Sequence, residues 1–207
     1  MKKIAITIAV AALFVILMPG AGSTAQAATP KSLDNLQAAF NGESNAHARY
    51  LEFAKKADAE GYGPVASLFL AAARAEEIHA ANHAVVIKSL GGVPKATIEK
   101  VVVNSTKENL EASIKGESYE RDTMYPEFIA TAKKEGQRDA LKSFNYAKTA
   151  EAEHAKLYSE SVKNLATLKG AKVTYYVCTV CGYTTKDLNF AKCLSCFNPK
   201  DKYVAVS

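Results

Sequence analysis

Apolar and small residues recur at steps of three and four along four stretches of the chain, and each of those stripes also carries an acid. The first runs Leu36, Phe40, Glu43, His47, Tyr50, Ala54 and Ala57 within residues 31–60. Steps of three and four keep such positions on one helical face. Gly61-Tyr62-Gly63-Pro64 ends that helix and starts the next, with Pro64 at a tolerated first-turn position. The second stripe runs Val65, Phe69, Ala72, Glu76, His79, Val86 and Leu90, and stops at Gly91-Gly92. Ser105 and Glu108 have the spacing of a capping box, which opens a third helix. Its stripe is Leu110, Ser113, Glu117, Met124 and Phe128, with a kink expected at Pro126. After Gly136 a fourth stripe aligns Phe144, Ala147, Glu151, His154, Tyr158 and Leu165. The fold class is mainly α.

Connection lengths set the topology. Helices one and two are joined by about four residues and three and four by about three, so each pair is an antiparallel hairpin. Between the pairs lie residues 91–104. Fully extended, such a segment reaches roughly 46 Å at ~3.3 Å per residue, against about 40 Å for a 27-residue helix. It can recross the whole bundle, which is the single long crossover of a ferritin-like four-helix bundle. Val101-Val102-Val103 inside it either pairs briefly as a strand or packs. The two hairpins repeat one another. Gly42-Glu43-Ser44 returns as Gly116-Glu117-Ser118, Glu60-Gly61 as Glu135-Gly136, and Glu76-x-x-His79 as Glu151-x-x-His154, at offsets of 74 to 75 positions. A pseudo-twofold bundle brings both copies to one centre.

Residues 1–27 follow another pattern. Lys2-Lys3 precede an apolar run from Ile4 to Met18, and Ala25-Gln26-Ala27 has small residues where a signal peptidase cuts. This predicts a signal peptide over 1–27 and an exported, periplasmic protein, the alternative being an uncleaved membrane anchor. Two domains are expected in the rest, a four-helix bundle over 28–168 and a small module over 172–207. The 207 residues are 48% apolar and 23% charged, enough for a sizeable core, with net charge +5. Without Lys2 and Lys3 the excess falls to +3 and is scattered, which excludes a nucleic-acid footprint.

The acids on the stripes carry the chemistry. Carboxylates rarely sit inside a bundle unless something compensates their charge. Glu43, Glu76, Glu117 and Glu151 fall one per helix on inward positions. In each Glu-x-x-His the two side chains share a face one turn apart. One Glu from each of two helices and a Glu-x-x-His from each of the others is the pattern of a di-metal carboxylate bundle. Oxygen and imidazole donors of this number suit two iron or manganese ions. The repeat breaks at Glu120, which aligns with Ala46, so a seventh candidate ligand exists on one side only. Glu120 and His79 are expected to exchange at one metal, the hard carboxylate favouring ferric and the imidazole ferrous iron. His47 and His83 lack duplicated counterparts and read as outer or merely satisfied histidines.

The four cysteines form two Cys-x-x-Cys knuckles, Cys178/Cys181 and Cys193/Cys196. That spacing predicts one tetrahedral site of four thiolates, for iron or zinc, with Gly182 letting the chain turn beneath the metal. So short a segment holds little core, and metal supplies much of its folding energy.

A carboxylate bundle followed by paired cysteine knuckles resembles rubrerythrin over nearly the whole chain after residue 27. The carrying segments are GESNAHARY (42–50), AEEIH (75–79), GESYERDTMYPEF (116–128), AEAEH (150–154) and the two knuckles. The resemblance implies Glu43, Glu76, Glu117, Glu120, Glu151 and His154 as di-iron ligands. His79 would exchange against Glu120 on reduction, and Tyr50 and Tyr125 would border the site. It implies a rubredoxin-like module with iron at Cys178, Cys181, Cys193 and Cys196. It also implies reduction of hydrogen peroxide to water, an external electron donor, and a head-to-tail homodimer in which one chain's cysteine iron approaches the other's di-iron site. Rival readings are a ferroxidase or iron-handling protein, a non-enzymatic electron carrier, and a manganese catalase. The chain departs from rubredoxins at Leu194, where proline is usual, and at Phe197.

Overall fold

The computed structural model describes Met1 and residues 30–207. The expected signal peptide lies outside the described residues. Among those described, no helix is long and apolar enough to cross a membrane. Helix α1 spans Lys31–Ala59 and α2 spans Gly63–Ser89. The third rod of the bundle is in two pieces, α3 (Thr106–Tyr119) and α4 (Tyr125–Lys134), and α5 runs Arg138–Lys163. Ser105 and Glu108 form the expected reciprocal capping box.

The break in the third rod is a π-turn over Glu120–Met124, not the kink expected at Pro126. The Tyr125 amide reaches back five residues to the Glu120 carbonyl. Proline has no N–H with which to continue the α ladder, so the wider turn sits just ahead of it. The extra residue also explains the drift in the repeat. Tyr50 follows Glu43 by seven positions, whereas Tyr125 follows Glu117 by eight.

The crossover contains no strand. It lies along α1, where Asn41 accepts from the Thr97 amide at 2.8 Å and Asn45 accepts from the Glu99 amide at 2.9 Å. Val101 packs on the core, while Val102 is exposed. The hairpin loops brace opposite helix starts: Glu60 accepts the Thr106 amide, and Glu135 accepts the amides of Lys31 and Ser32, each at 2.9 Å.

Two apolar layers close the bundle above and below its acidic centre. One stacks Tyr50, Phe69 and Tyr158, with Tyr50 and Phe69 ring centroids 5.8 Å apart. The other holds Tyr125, Phe128 and Phe144 with Leu36 and Ile87. Phe69 and Phe144 are one repeat apart, so the layers are related by the same duplication.

After α5 the chain is stitched to the first hairpin loop, Gly170 donating to the Gly61 carbonyl at 3.0 Å and accepting from Gly63 at 3.2 Å. A β-carbon on Gly63 would stand 2.3 Å from the Gly170 oxygen, so only glycine permits this approach. The C-terminal module is a three-stranded antiparallel sheet of order β2-β1-β3, with β1 Tyr175–Cys178, β2 Thr184–Thr185 and β3 Tyr203–Val206. Held by this stitch, the module lies against α2 and α5 of its own chain.

Candidate metal centre

The stripes converge as their spacing requires. Glu43, Glu76, Glu117, Glu151, His79 and His154 are all buried at the bundle centre. Their ligand atoms fall into two overlapping groups, Glu43, Glu76, His79 and Glu151 in one, Glu76, Glu117, Glu151 and His154 in the other. Within each group the atoms lie within 4.8 Å of one another. Glu76 and Glu151 belong to both, as carboxylates bridging two ions would. His79 Nδ1 stands 2.9 Å from both Glu76 and Glu151, and His154 Nδ1 is 2.8 Å from Glu151.

Whether this cluster suits metal is answered by its orphaned atoms. Glu43 Oε2, Glu76 Oε1, Glu117 Oε2, both Glu151 oxygens and His154 Nδ1 are buried without a hydrogen-bond partner. Buried polar atoms are ordinarily satisfied, and unpaired carboxylates in an apolar interior are costly. Six such atoms facing one space fit two cations.

Electrostatics divide the acids in the same way. Burial, followed by the charges of neighbouring carboxylates, pushes Glu43, Glu117 and Glu120 well above the usual carboxylate range. Burial opposes ionisation of Glu76 and Glu151 as well, yet the adjacent imidazoles hold both below that range. Burial alone would depress His154, but the Glu151 carboxylate beside its Nδ1 raises it to about 9.

Tyrosines cross the pseudo-twofold. Tyr50 donates to Glu117 at 2.5 Å, and Tyr125 donates to Glu43. Glu120 is half-buried at the start of the π-turn and belongs to neither donor group. His79 occupies the Glu43 side. His47 is satisfied by the Ala73 carbonyl at 2.7 Å, whereas His83 is buried against Tyr125 and Ser143.

The module completes the surroundings. Both metal-facing histidines turn Nδ1 to the acids and Nε2 to the module. His79 Nε2 donates to the Cys181 carbonyl at 3.1 Å, and His154 Nε2 donates to Thr184 Oγ1 at 3.0 Å. Such bonds fix tautomer and ring orientation. Thr184 and the Cys181 carbonyl were not singled out by sequence. Their only signal is position just after a Cys-x-x-Cys knuckle, and their use depends on docking.

The four cysteines form the expected second cluster, free of disulfides, with Cys178 and Cys196 sulfurs 3.7 Å apart and Cys181 and Cys193 3.6 Å apart. Tyr203 donates to Cys193 Sγ at 3.1 Å, and Asn198 lies 3.3 Å from Cys196 Sγ. Phe197 adopts φ 59° and is exposed, closing the second knuckle as a left-handed turn.

Known proteins resemble this chain. Nigerythrin of Nitratidesulfovibrio vulgaris is 40% identical over 179 residues, covering 86% of this chain and 88% of the relative. Rubrerythrin-2 of Clostridium acetobutylicum is 37% identical, covering 83% and 95%. The solved structure of nigerythrin in its fully reduced, all-ferrous state superposes with TM-score 0.78 at 36% identity, covering 90% of this chain and 91% of that one. A bacterioferritin of Desulfovibrio desulfuricans matches with TM-score 0.64 at 26% identity, covering 69% and 88%. The rubrerythrin family profile spans residues 34–162. With a ferritin-like bundle, a carboxylate-bridged di-iron site and a four-cysteine metal module in one chain, this protein belongs to the rubrerythrin family.

Proposed function

We propose that this chain is a non-haem di-iron peroxidase that reduces hydrogen peroxide to water, with electrons relayed through the cysteine-bound iron. The observation that carries the reading is the hydrogen bond from His79 to the Cys181 carbonyl, which joins a di-iron histidine to a cysteine of the second cluster through one peptide unit.

Peroxide takes up two electrons and two protons to yield two water molecules, and iron at the carboxylate centre would supply one electron from each ferrous ion. Glu76 and Glu151 would bridge the pair, with Glu43 and His79 at one ion and Glu117 and His154 at the other. The protein's own groups orient this set. Tyr50 and Tyr125 donate hydrogen bonds to Glu117 and Glu43 and so fix these carboxylates, and the aromatic layers keep bulk water from the acids. Glu120, at the start of the π-turn, would replace the His79 imidazole on oxidation. Cys178, Cys181, Cys193 and Cys196 would hold an iron able to take electrons from a donor of unidentified nature, and the His79–Cys181 contact would set it beside the carboxylate centre. We further propose export through residues 1–27 and pairing of two chains as a homodimer. A ferroxidase would use the same bundle but has no use for the docked module.

Substituting Cys178→Ser tests the relay. The reduced variant should complete a first oxidation by peroxide at the normal rate and then stop. Unchanged steady-state turnover would contradict the role given to the cysteine-bound iron.

A further inference from the structure

The duplication makes one asymmetry conspicuous. Adding one repeat to Phe69 gives Phe144 and to Tyr50 gives Tyr125, but adding it to His83 gives Tyr158. On one side, Tyr50 reaches Glu117 with Tyr158 packed behind it at a ring-centroid distance of 5.7 Å. Tyr158 is fully buried, and its hydroxyl has no hydrogen-bond partner. On the other side, Tyr125 reaches Glu43 with His83 behind it, His83 Nε2 lying 3.2 Å from the Tyr125 hydroxyl and Nδ1 2.8 Å from Ser143 Oγ. The repeat-mate of Ser143 is Leu68, which has no polar atom to offer.

Donor counting orients the chain. A phenol has a single proton, and that of Tyr125 is on Glu43, so its oxygen can only accept from His83 Nε2–H. The Ser143 hydroxyl then donates to Nδ1 of the neutral ring. Ser143 lines a cavity of about 340 Å³ between α2, α5 and the first knuckle at Val180, which marks the outer end of this hydrogen-bond series. Hydrogen bonds in such a series polarise one another in a low-dielectric interior.

We propose that His83, held by Ser143, is a positioning residue that locks the Tyr125 hydroxyl onto Glu43 and so supports one metal position of the pair and not the other. The lock keeps the phenol from rotating away and keeps the Glu43 carboxylate turned toward the Glu43/His79 position. The Glu117/His154 position relies on Tyr50 alone. The inference rests on the di-iron reading of the centre and is independent of what the iron reduces.

The test is iron release from the reduced holoprotein to a ferrous chelator, without peroxide. Loss of a group that orients a metal ligand typically costs about 10–100-fold in metal affinity. His83→Phe and Ser143→Ala should each weaken one of the two bundle irons by about 10-fold and leave the other unchanged. Crystals at limiting iron should show the Glu43/His79 position emptied first. His83→Gln, which keeps one donor and one acceptor, should restore most of the loss, and Tyr158→Phe should alter neither iron. If His83→Phe does not fold, Ser143→Ala carries the same expectation with a single hydroxyl removed. Equal weakening of both irons, no weakening, or a glutamine no better than phenylalanine would overturn the proposal. Inactivity toward peroxide with these release rates intact would instead overturn the peroxidase reading.

Discussion

His79 and Cys181 lie 102 positions apart in sequence, yet the imidazole of one donates to the carbonyl of the other at 3.1 Å. Gly182 makes this contact possible. It has φ 76°, and a β-carbon there would stand 2.2 Å from His79 Nε2. An L residue in that conformation costs roughly 1–2 kcal/mol, and the clash adds to it. Gly182→Ala should therefore lift the module from the bundle while leaving both metal clusters able to fill. Metal content should match the parent. Oxidation of the pre-reduced protein by peroxide should proceed, and steady-state turnover should fall at least about tenfold, as expected when a supporting group of a metal site is lost. Normal turnover in this variant would separate the His79–Cys181 contact from electron delivery.

Removing metal should make stability depend on pH. Glu43, Glu117 and Glu120 are raised by burial and mutual repulsion, and the acids around His154 raise it despite burial. Groups raised on folding bind protons that the unfolded chain has released, so stability falls as pH rises through the window above their ordinary values. His83 is held down to about 3 by burial and the neighbouring His79, and it opposes this trend only below about pH 6.5. Between about pH 6.5 and 8 the metal-free protein should lose stability with rising pH, while the iron-loaded protein should show little slope. Thermal melts across that range, with and without chelator, read the difference. A metal-free protein equally stable at both ends would mean that the acids are not mutually repelling.

The loop carboxylates should act as crossed caps. Glu60 is held down to about 2, chiefly by hydrogen bonding to Thr106. Its folded value lies below its ordinary one, so its contribution is complete above about pH 5 and fades as pH falls toward about 2. Glu60→Ala should cost about 1 kcal/mol at neutral pH, the size of a lost helix cap, and almost nothing at about pH 2. Urea denaturation at the two pH values gives both figures. An equal loss at both would assign the effect to packing.

Much of the centre was legible because charge on an apolar stripe has few explanations. Glu76-x-x-His79 and Glu151-x-x-His154 read as inward-facing on spacing alone, and the duplication brought them together. The capping box at Ser105 was legible because its chemistry is local. The π-turn was not, although its trace was there: the repeat slips by one position between Glu117 and Tyr125, and a slip inside a helical stripe is an inserted residue. The role of Thr184 and the Cys181 carbonyl could not be read, since a backbone oxygen has no sequence signature. Where the module meets the bundle depended on the Gly61–Gly170 stitch, a contact between residues that spacing does not relate. His83 and Ser143 gain meaning only once Tyr125 stands between them and Glu43.

Glu120 provides the remaining prediction. It starts the π-turn three positions after Glu117, half-buried, outside the donor group that contains His79. In that group the imidazole, not Glu120, completes the Glu43 side, the arrangement suited to ferrous iron. The wider helical turn leaves the backbone at Glu120 less tightly laddered, and such turns often mark functional sites. Oxidised crystals should therefore show Glu120 within bonding distance of the metal beside Glu43, with His79 no longer within bonding distance of it. Reduced crystals should show His79 bound and Glu120 free. Glu120→Ala should retain the reduced arrangement in both states and slow turnover by about tenfold or more, with little change in reduced iron content. Identical ligands in oxidised and reduced parent crystals would remove the exchange and leave Glu120 as a bystander of the turn it begins.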